Sequence, residues 1–292
     1  MDLRTLACTA LSKRLMIAPD ARMAQGDAYA DWRDASLVRS WRHFSDDELD
    51  GKDVLDFGCG AGQLAFFLAS KGRAKSVTGV DIDLAALDRA HDALRRRADL
   101  ADSLHFIEGD TIGLPLDDAS IDLITAFDCL EHVMEPGAIL RGWARVLRPG
   151  GRVLIEWFPF KGPWGPHMEA LVPVPWAHVI FGEKAMFRAA AAIYDDPDFT
   201  PRHWDMGSEG RKKPNKWTQW DSFEEQGYVN QLDIAGFRDC VAEAGLRIKR
   251  LSRSGFGRSG AAKAIGDAFM ALPVLGEYAT SYTVIALEKP RA

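Results

Sequence analysis

Between residues 51 and 157 the apolar positions fall into two alternating rhythms. Short apolar runs of strand length (Val54-Leu55, Ser76–Val80, Leu104–Ile107 and Ile121–Phe127) alternate with stretches whose apolar residues recur at helical spacing. Leu64-Ala65-Phe66-Phe67-Leu68-Ala69 reads as a first helix. A second opens after Asp83, a good N-cap, with Leu84, Leu87 and Leu94 on its buried face. After a helix end and a tight turn at Arg148-Pro149-Gly150-Gly151, Val153-Leu154-Ile155 reads as a fifth strand. Strand and helix in strict alternation predict an α/β fold with a doubly wound parallel sheet.

Outside that core the rhythm is less regular. Residues 1–50 read as a helical N-terminal cap. Leu3, Leu6, Leu11 and Leu15 have a loose helical period, and Trp32, Leu37, Val38, Trp41 and Phe44 suggest a second amphipathic piece. We expect these helices to pack on the sheet edge; in the alternative they cover the ligand site, and Tyr29, Trp32 or Arg33 reaches into it. Residues 158–229 are long for a connection between strands, and such insertions are usually functional or independently folded. Between Gly162 and Gly182 the only formal charge is Glu169, yet four prolines there oppose a membrane-spanning helix. The stretch is expected to be a lid whose Trp164, Trp176 and Phe181 line an apolar pocket, with lipid contact as the alternative. Ala185–Tyr194 reads as a short helix, and Trp217–Asp221 as a packed rather than disordered tract.

Residues 230–292 return to the sheet. Asp233–Leu246 reads as a helix stopped by Gly245, Leu246–Leu251 as a sixth strand and Tyr282–Glu288 as a last one. Between them Ala261–Leu275 is a second apolar insertion, with Phe269, Met270, Leu272 and Leu275 completing the pocket or covering the sheet.

The chemistry concentrates where the first strand ends. Asp56, Gly58, Gly60 and Gly62 form an Asp-x-Gly-x-Gly-x-Gly pattern between a strand and a helix start. Glycines let the backbone turn and approach a ligand closely, and the helix start presents unpaired N–H groups. The spacing differs from the G-x-G-x-x-G of dinucleotide sites. The second strand ends in Asp81, a carboxylate placed to bind ribose hydroxyls. The third runs into Glu108-Gly109-Asp110 and the fourth into Asp128.

Together LDFGCGAG, GVDID, EGD, FDCLEHV and LRPGGRVLIE, in that order, resemble the class I S-adenosylmethionine-dependent methyltransferase family, nearest its ubiquinone/menaquinone-type branch. The resemblance covers about residues 50–157. It implies a Rossmann-like seven-stranded sheet with the last strand antiparallel, and S-adenosylmethionine as cofactor. It puts Asp56, Gly58, Gly60 and Gly62, with Cys59 in the same loop, beside the methionine end. Asp81 is then expected at the ribose, Ile82 on the adenine, Asp110 and Thr111 near the adenine amino group, and Asp128 facing cofactor and acceptor. His132 is expected to brace its loop.

A methyl acceptor with a hydroxyl needs a base, and histidine titrates in the right range. His167, in a proline/glycine loop, is the first candidate; His178 and His203 are the others. A metal site from His167, Glu169 and Asp205 has no diagnostic spacing, so no metal is expected.

The net charge of −6 argues against a nucleic-acid surface. Arg95-Arg96-Arg97 reads as a solvated helix end and Arg211-Lys212-Lys213 as a solvated turn, with contact to an anionic acceptor as the alternative for the latter. Four scattered cysteines and the lack of a signal-peptide pattern fit a cytoplasmic protein. The expected function is methylation of a small-molecule or lipid-like acceptor, at oxygen with a histidine base. Carbon methylation of a quinone-like ring is the alternative, and a non-catalytic cofactor-binding partner protein is the other. The sequence carries no signal for an oligomeric state.

Overall fold

The structure is a computed structural model that describes residues 2–16, 35–207, 209–255, 260–272 and 274–291. Tyr29, Trp32 and Arg33 lie outside the described residues.

The chain divides into two compact units. The first to be described comprises residues 34–158, 232–254 and 282–292 and holds one seven-stranded sheet. Its strands are β1 (Asp53–Phe57), β2 (Ser76–Asp81), β3 (Leu104–Glu108), β4 (Ile121–Phe127), β5 (Leu147–Trp157), β6 (Arg247–Gly255) and β7 (Thr280–Glu288). Their order is β3-β2-β1-β4-β5-β7-β6. Val54 pairs with Val77 on one side and Leu123 on the other, both parallel, whereas Ile155 opposes Ile285 on antiparallel β7. The expected sheet and its antiparallel last strand are therefore present. β5 begins earlier than expected and carries the Pro149-Gly150-Gly151 turn within it, where Gly150 N donates to Lys289 O and Lys289 N to Gly151 O.

Both faces of this sheet are covered, which is why its central strands are continuous apolar runs rather than alternating ones. Helices Pro136–Val146 and Ile234–Glu243 bring Ile139, Leu140, Trp143, Phe237 and Val241 to one face. Helices Gln63–Ser70 and Leu84–Arg95 bring Leu64, Leu68, Leu87 and Ala90 to the other, joined by Leu37 and Trp41. Asp83 caps the second of these helices as expected, accepting from Ala85 N and Ala86 N. Leu84 corrects the expectation: it stands in the first turn, beside the cap, and is 56% exposed. The edge strand β6 carries Arg247, Lys249, Arg250 and Arg253, charges that discourage pairing with a further strand.

The other unit comprises residues 1–33, 159–231 and 255–281. Its core gathers Cys8, Met168, Leu171, Val172, Val174, Met186, Phe187, Tyr194, Phe223 and Val229. Helix Glu183–Tyr194 runs through it, and Phe187 meets Phe223 at 4.9 Å and both Trp217 and Trp220 at 6.3 Å. The Trp217–Asp221 tract is thus packed, as expected. Helix Leu3–Leu15 overturns its expected packing on the sheet edge, because it belongs to this unit and packs on helix Glu183–Tyr194. It buries Thr5, Cys8 and Ser12, while Leu3, Leu6, Leu11 and Leu15 are exposed. Small side chains permit the close approach of two helices. The apolar stretch 261–275 forms helix Gly260–Met270, followed by a short helix Leu275–Tyr278. Among the described residues no helix is long and apolar enough to cross a membrane.

Candidate functional site

The carboxyl ends of β1, β2, β3 and β4 bring the sequence-predicted ligand residues together in the sheet unit. After β1 the chain turns through Gly58, Cys59, Gly60 and Ala61 and enters helix Gln63–Ser70 at Gly62. Gly60 has φ +53° and a Cβ built on it meets nothing within 4 Å, so the backbone there faces open space. Gly62 has φ +87°, and a Cβ on it would stand 2.6 Å from the Phe106 ring. A side chain is excluded at the second position by crowding and disfavoured at both by conformation. The helix start has no side-chain cap, leaving its first-turn N–H groups for an electronegative partner.

Asp81 ties this loop to β2. Its Oδ2 accepts from Gly60 N at 2.7 Å and its Oδ1 from Asp83 N at 2.8 Å. Gly58 N and Cys59 N both donate to Val80 O, at 2.8 and 3.1 Å. A carboxylate oxygen that already accepts one N–H retains a further lone pair for a ligand hydroxyl. Asp56 is different: only 2% exposed, it accepts from Thr125 Oγ1 at 2.9 Å and so braces β1 against β4 beneath the loop. Cys59 is also buried. Desolvation pushes its thiol pKa up, and the Asp56 and Asp81 carboxylates push it the same way, which keeps the sulfur protonated and unreactive.

Beside Asp81 stands Ile82, 60% exposed; on the loop after β3, Asp110 Oδ1 accepts from Thr111 Oγ1 and Ile112 N, and Ile112 is 59% exposed. Exposed isoleucines next to carboxylates suit a flat apolar ring with polar edges. Sequence reasoning missed Ile112, whose only signal is an aliphatic side chain in an otherwise polar loop. Asp128, just past β4, adopts φ +57° and donates its N–H to Glu156 O at 3.1 Å. A non-glycine residue held in the left-handed region is a mark of functional sites.

Glu156 belongs to a second missed feature. His43 Nε2 lies 3.5 Å from Glu156 Oε1, near the carboxyl end of β5. Arg250 fixes the backbone at this point by donating to His43 O at 2.9 Å, and Tyr282 flanks the imidazole at 6.3 Å. A histidine this close to a carboxylate is a candidate proton acceptor. The sequence hides it because the partners are far apart in the chain.

The sequence-predicted histidines belong to the other unit. His167 is half-buried in the loop at φ +52°, and His178 is 7% exposed on the short helix Ala177–Ile180. Both line a recess of about 10 Å³, about the volume one water needs. Desolvation pushes the His178 pKa down to about 4, partly offset by the nearby Phe160 carbonyl, which does not reach full hydrogen-bond geometry with either ring nitrogen. That makes it a weak base. His203 opens a 3-10 turn, His203–Asp205, and its side chain lies outside the described residues.

Comparison with known proteins agrees with the loop geometry. Residues 55–155 match the family model described as a methyltransferase domain. Residues 55–155 are a class I S-adenosylmethionine-dependent methyltransferase domain. The chain is 38% identical over 105 residues to 27-O-demethylrifamycin SV methyltransferase of Amycolatopsis mediterranei, covering 36% of this chain and 38% of that protein. It is 33% identical over 136 residues to the ubiquinone/menaquinone biosynthesis C-methyltransferase of Vibrio vulnificus, covering 45% and 52%. The chain thus spans about half or less of the length of these curated relatives. The crystal structure of the [4+2]-cyclase SpnF shares the fold, with TM-score 0.52, 16% identity and 99% of this chain covered against 94% of that one. The methyltransferase domain therefore fixes the cofactor class, S-adenosylmethionine. The open cradle over Gly60, the uncapped helix start and the Asp81 carboxylate fit it.

Proposed function

We propose that the protein transfers a methyl group from S-adenosylmethionine to an oxygen of a small, lipid-like acceptor. The single observation that carries this reading is the cradle at Gly60, with Asp81 and the exposed Ile82 and Ile112 grouped at the carboxyl ends of β1 to β3. When bound, the cofactor supplies a methyl on a positively charged sulfur, which leaves as a neutral thioether. The Gly60 and helix-start backbone receives the amino-acid end, Asp81 the ribose hydroxyls, and Ile82 with Ile112 the adenine. The acceptor's hydroxyl proton goes to His43, whose Nε2 lies 3.5 Å from Glu156 Oε1. This moves the base from His167 to a residue in the unit that carries the cofactor loop.

Oxygen methylation is favoured over methylation of a quinone-like ring carbon by that histidine–carboxylate pair. The test is transfer of a labelled methyl from S-adenosylmethionine to a panel of hydroxylated and quinone-type hydrophobic compounds. Label on oxygen in an ether supports the reading, label on ring carbon replaces it with carbon methylation, and no transfer to any compound removes it.

A further inference from the structure

Trp176, the helix Gly260–Met270 and the short helix Leu275–Tyr278, all in the insertion unit, line an open-sided cavity of about 420 Å³. Its wall is made by Trp176, Ile265, Gly266, Phe269, Leu275 and Tyr278, closed by Ala279. No charged residue contributes. The indole Nε1 of Trp176 is turned away to donate to Tyr278 O at 2.7 Å, which leaves the cavity an apolar surface.

Three features describe the occupant. The volume lies within the range of small-molecule sites and would hold no more than about one turn of a helix about 10 Å across. Ile265 is 57% exposed, and Phe269 and Leu275 are each 48% exposed, so large apolar side chains stand in water around a concavity that an apolar guest would dry. A charged or strongly hydrogen-bonding guest would lose its hydration with no partner to replace it. The guest is therefore neutral hydrocarbon. A bilayer surface would instead be met by an amphipathic helix rich in cations. Here the only charged side chains over 263–270, Lys263 and Asp267, pair with each other and cancel.

We propose that this cavity binds the hydrocarbon chain, alkyl or isoprenoid, of a soluble lipid-like molecule. That this chain belongs to the methyl acceptor rests on the function proposed above; the binding itself does not.

The test is calorimetric titration of the full chain with farnesol, with S-adenosylhomocysteine titrated separately and neutral phosphatidylcholine vesicles as a third probe. Saturable one-to-one binding of farnesol is expected. Phe269→Glu, at a half-exposed position that tolerates charge in the free protein, is expected to weaken it at least about tenfold. Gly266→Leu, which fills the cavity and favours the helix, is expected to do the same, so a misfolded variant of one kind leaves the other to decide. S-adenosylhomocysteine affinity stays unchanged in both. Absent or non-saturable farnesol binding, or wild-type farnesol affinity in both variants, overturns the proposal. Vesicle binding without farnesol binding overturns it in favour of a membrane surface. Farnesol binding without S-adenosylhomocysteine binding keeps the cavity's role and removes the methyl-transfer reading.

Discussion

The sheet unit and the insertion unit are built by different means. In the sheet unit the core is largely aliphatic and comes from strands covered on both faces, and two of its exposed apolar side chains, Ile82 and Ile112, sit at the ligand end. In the insertion unit the core is aromatic and sulfur-rich, and short helices are held by contacts between distant residues. Phe160 meets Phe223 at 5.4 Å, and Phe223 N donates to Glu183 Oε2 at 2.9 Å. The first kind of order is specified by local punctuation, a strand followed by a glycine turn and a helix. The second is specified by packing partners that no local window contains.

Four substitutions or conditions probe that contrast, taken from the largest expected effect down. His43→Ala is expected to lower turnover by about 10²–10⁴ while leaving S-adenosylhomocysteine affinity intact. Unchanged turnover would return the base to the insertion unit. Phe187→Ala removes a side chain with no exposure from the aromatic core. It is expected to destabilise by about 3–5 kcal/mol in chemical denaturation, with loss of the near-ultraviolet tryptophan signal. A cost below about 1 kcal/mol would mean that the aromatic cluster is loosely packed.

The third concerns His178. Burial holds its pKa near 4 in the folded chain against the ordinary 6.5, so the unfolded chain binds the proton more readily between those values. Stability is therefore complete above pH 6.5 and declines by about 3 kcal/mol as pH falls through 4. His178→Gln should flatten this part of the pH dependence, and an identical decline in wild type and variant would show the imidazole to be hydrated. The smallest effect is expected at the cofactor loop. Asp81→Ala should weaken S-adenosylmethionine binding by about 1–3 kcal/mol, since a charged acceptor for ribose hydroxyls is removed.

The same contrast explains what could be read from the sequence. The seven strands, the Asp83 cap and the helix stop at Gly245 (φ +72°) were legible because each depends on neighbours in the chain. So was the turn through Gly58, Gly60 and Gly62 between strand and helix, which is local in the chain. Leu3, Leu6, Leu11 and Leu15 misled because helical period marks an apolar stripe without saying whether it is the buried one; the face that is buried carries Thr5, Cys8 and Ser12. His167 stands out as a candidate base in the sequence because it sits in a proline/glycine loop. The His43–Glu156 pair has no sequence signature, since it is made by folding 34–50 with the sheet.

The most direct test of the central claim is calorimetric titration of the full chain with S-adenosylmethionine and S-adenosylhomocysteine, with NADH as control. The account predicts one-to-one binding of both sulfur ligands and none of NADH, with Asp81→Ala weakening the former. Binding of NADH, or of neither sulfur ligand, would contradict it.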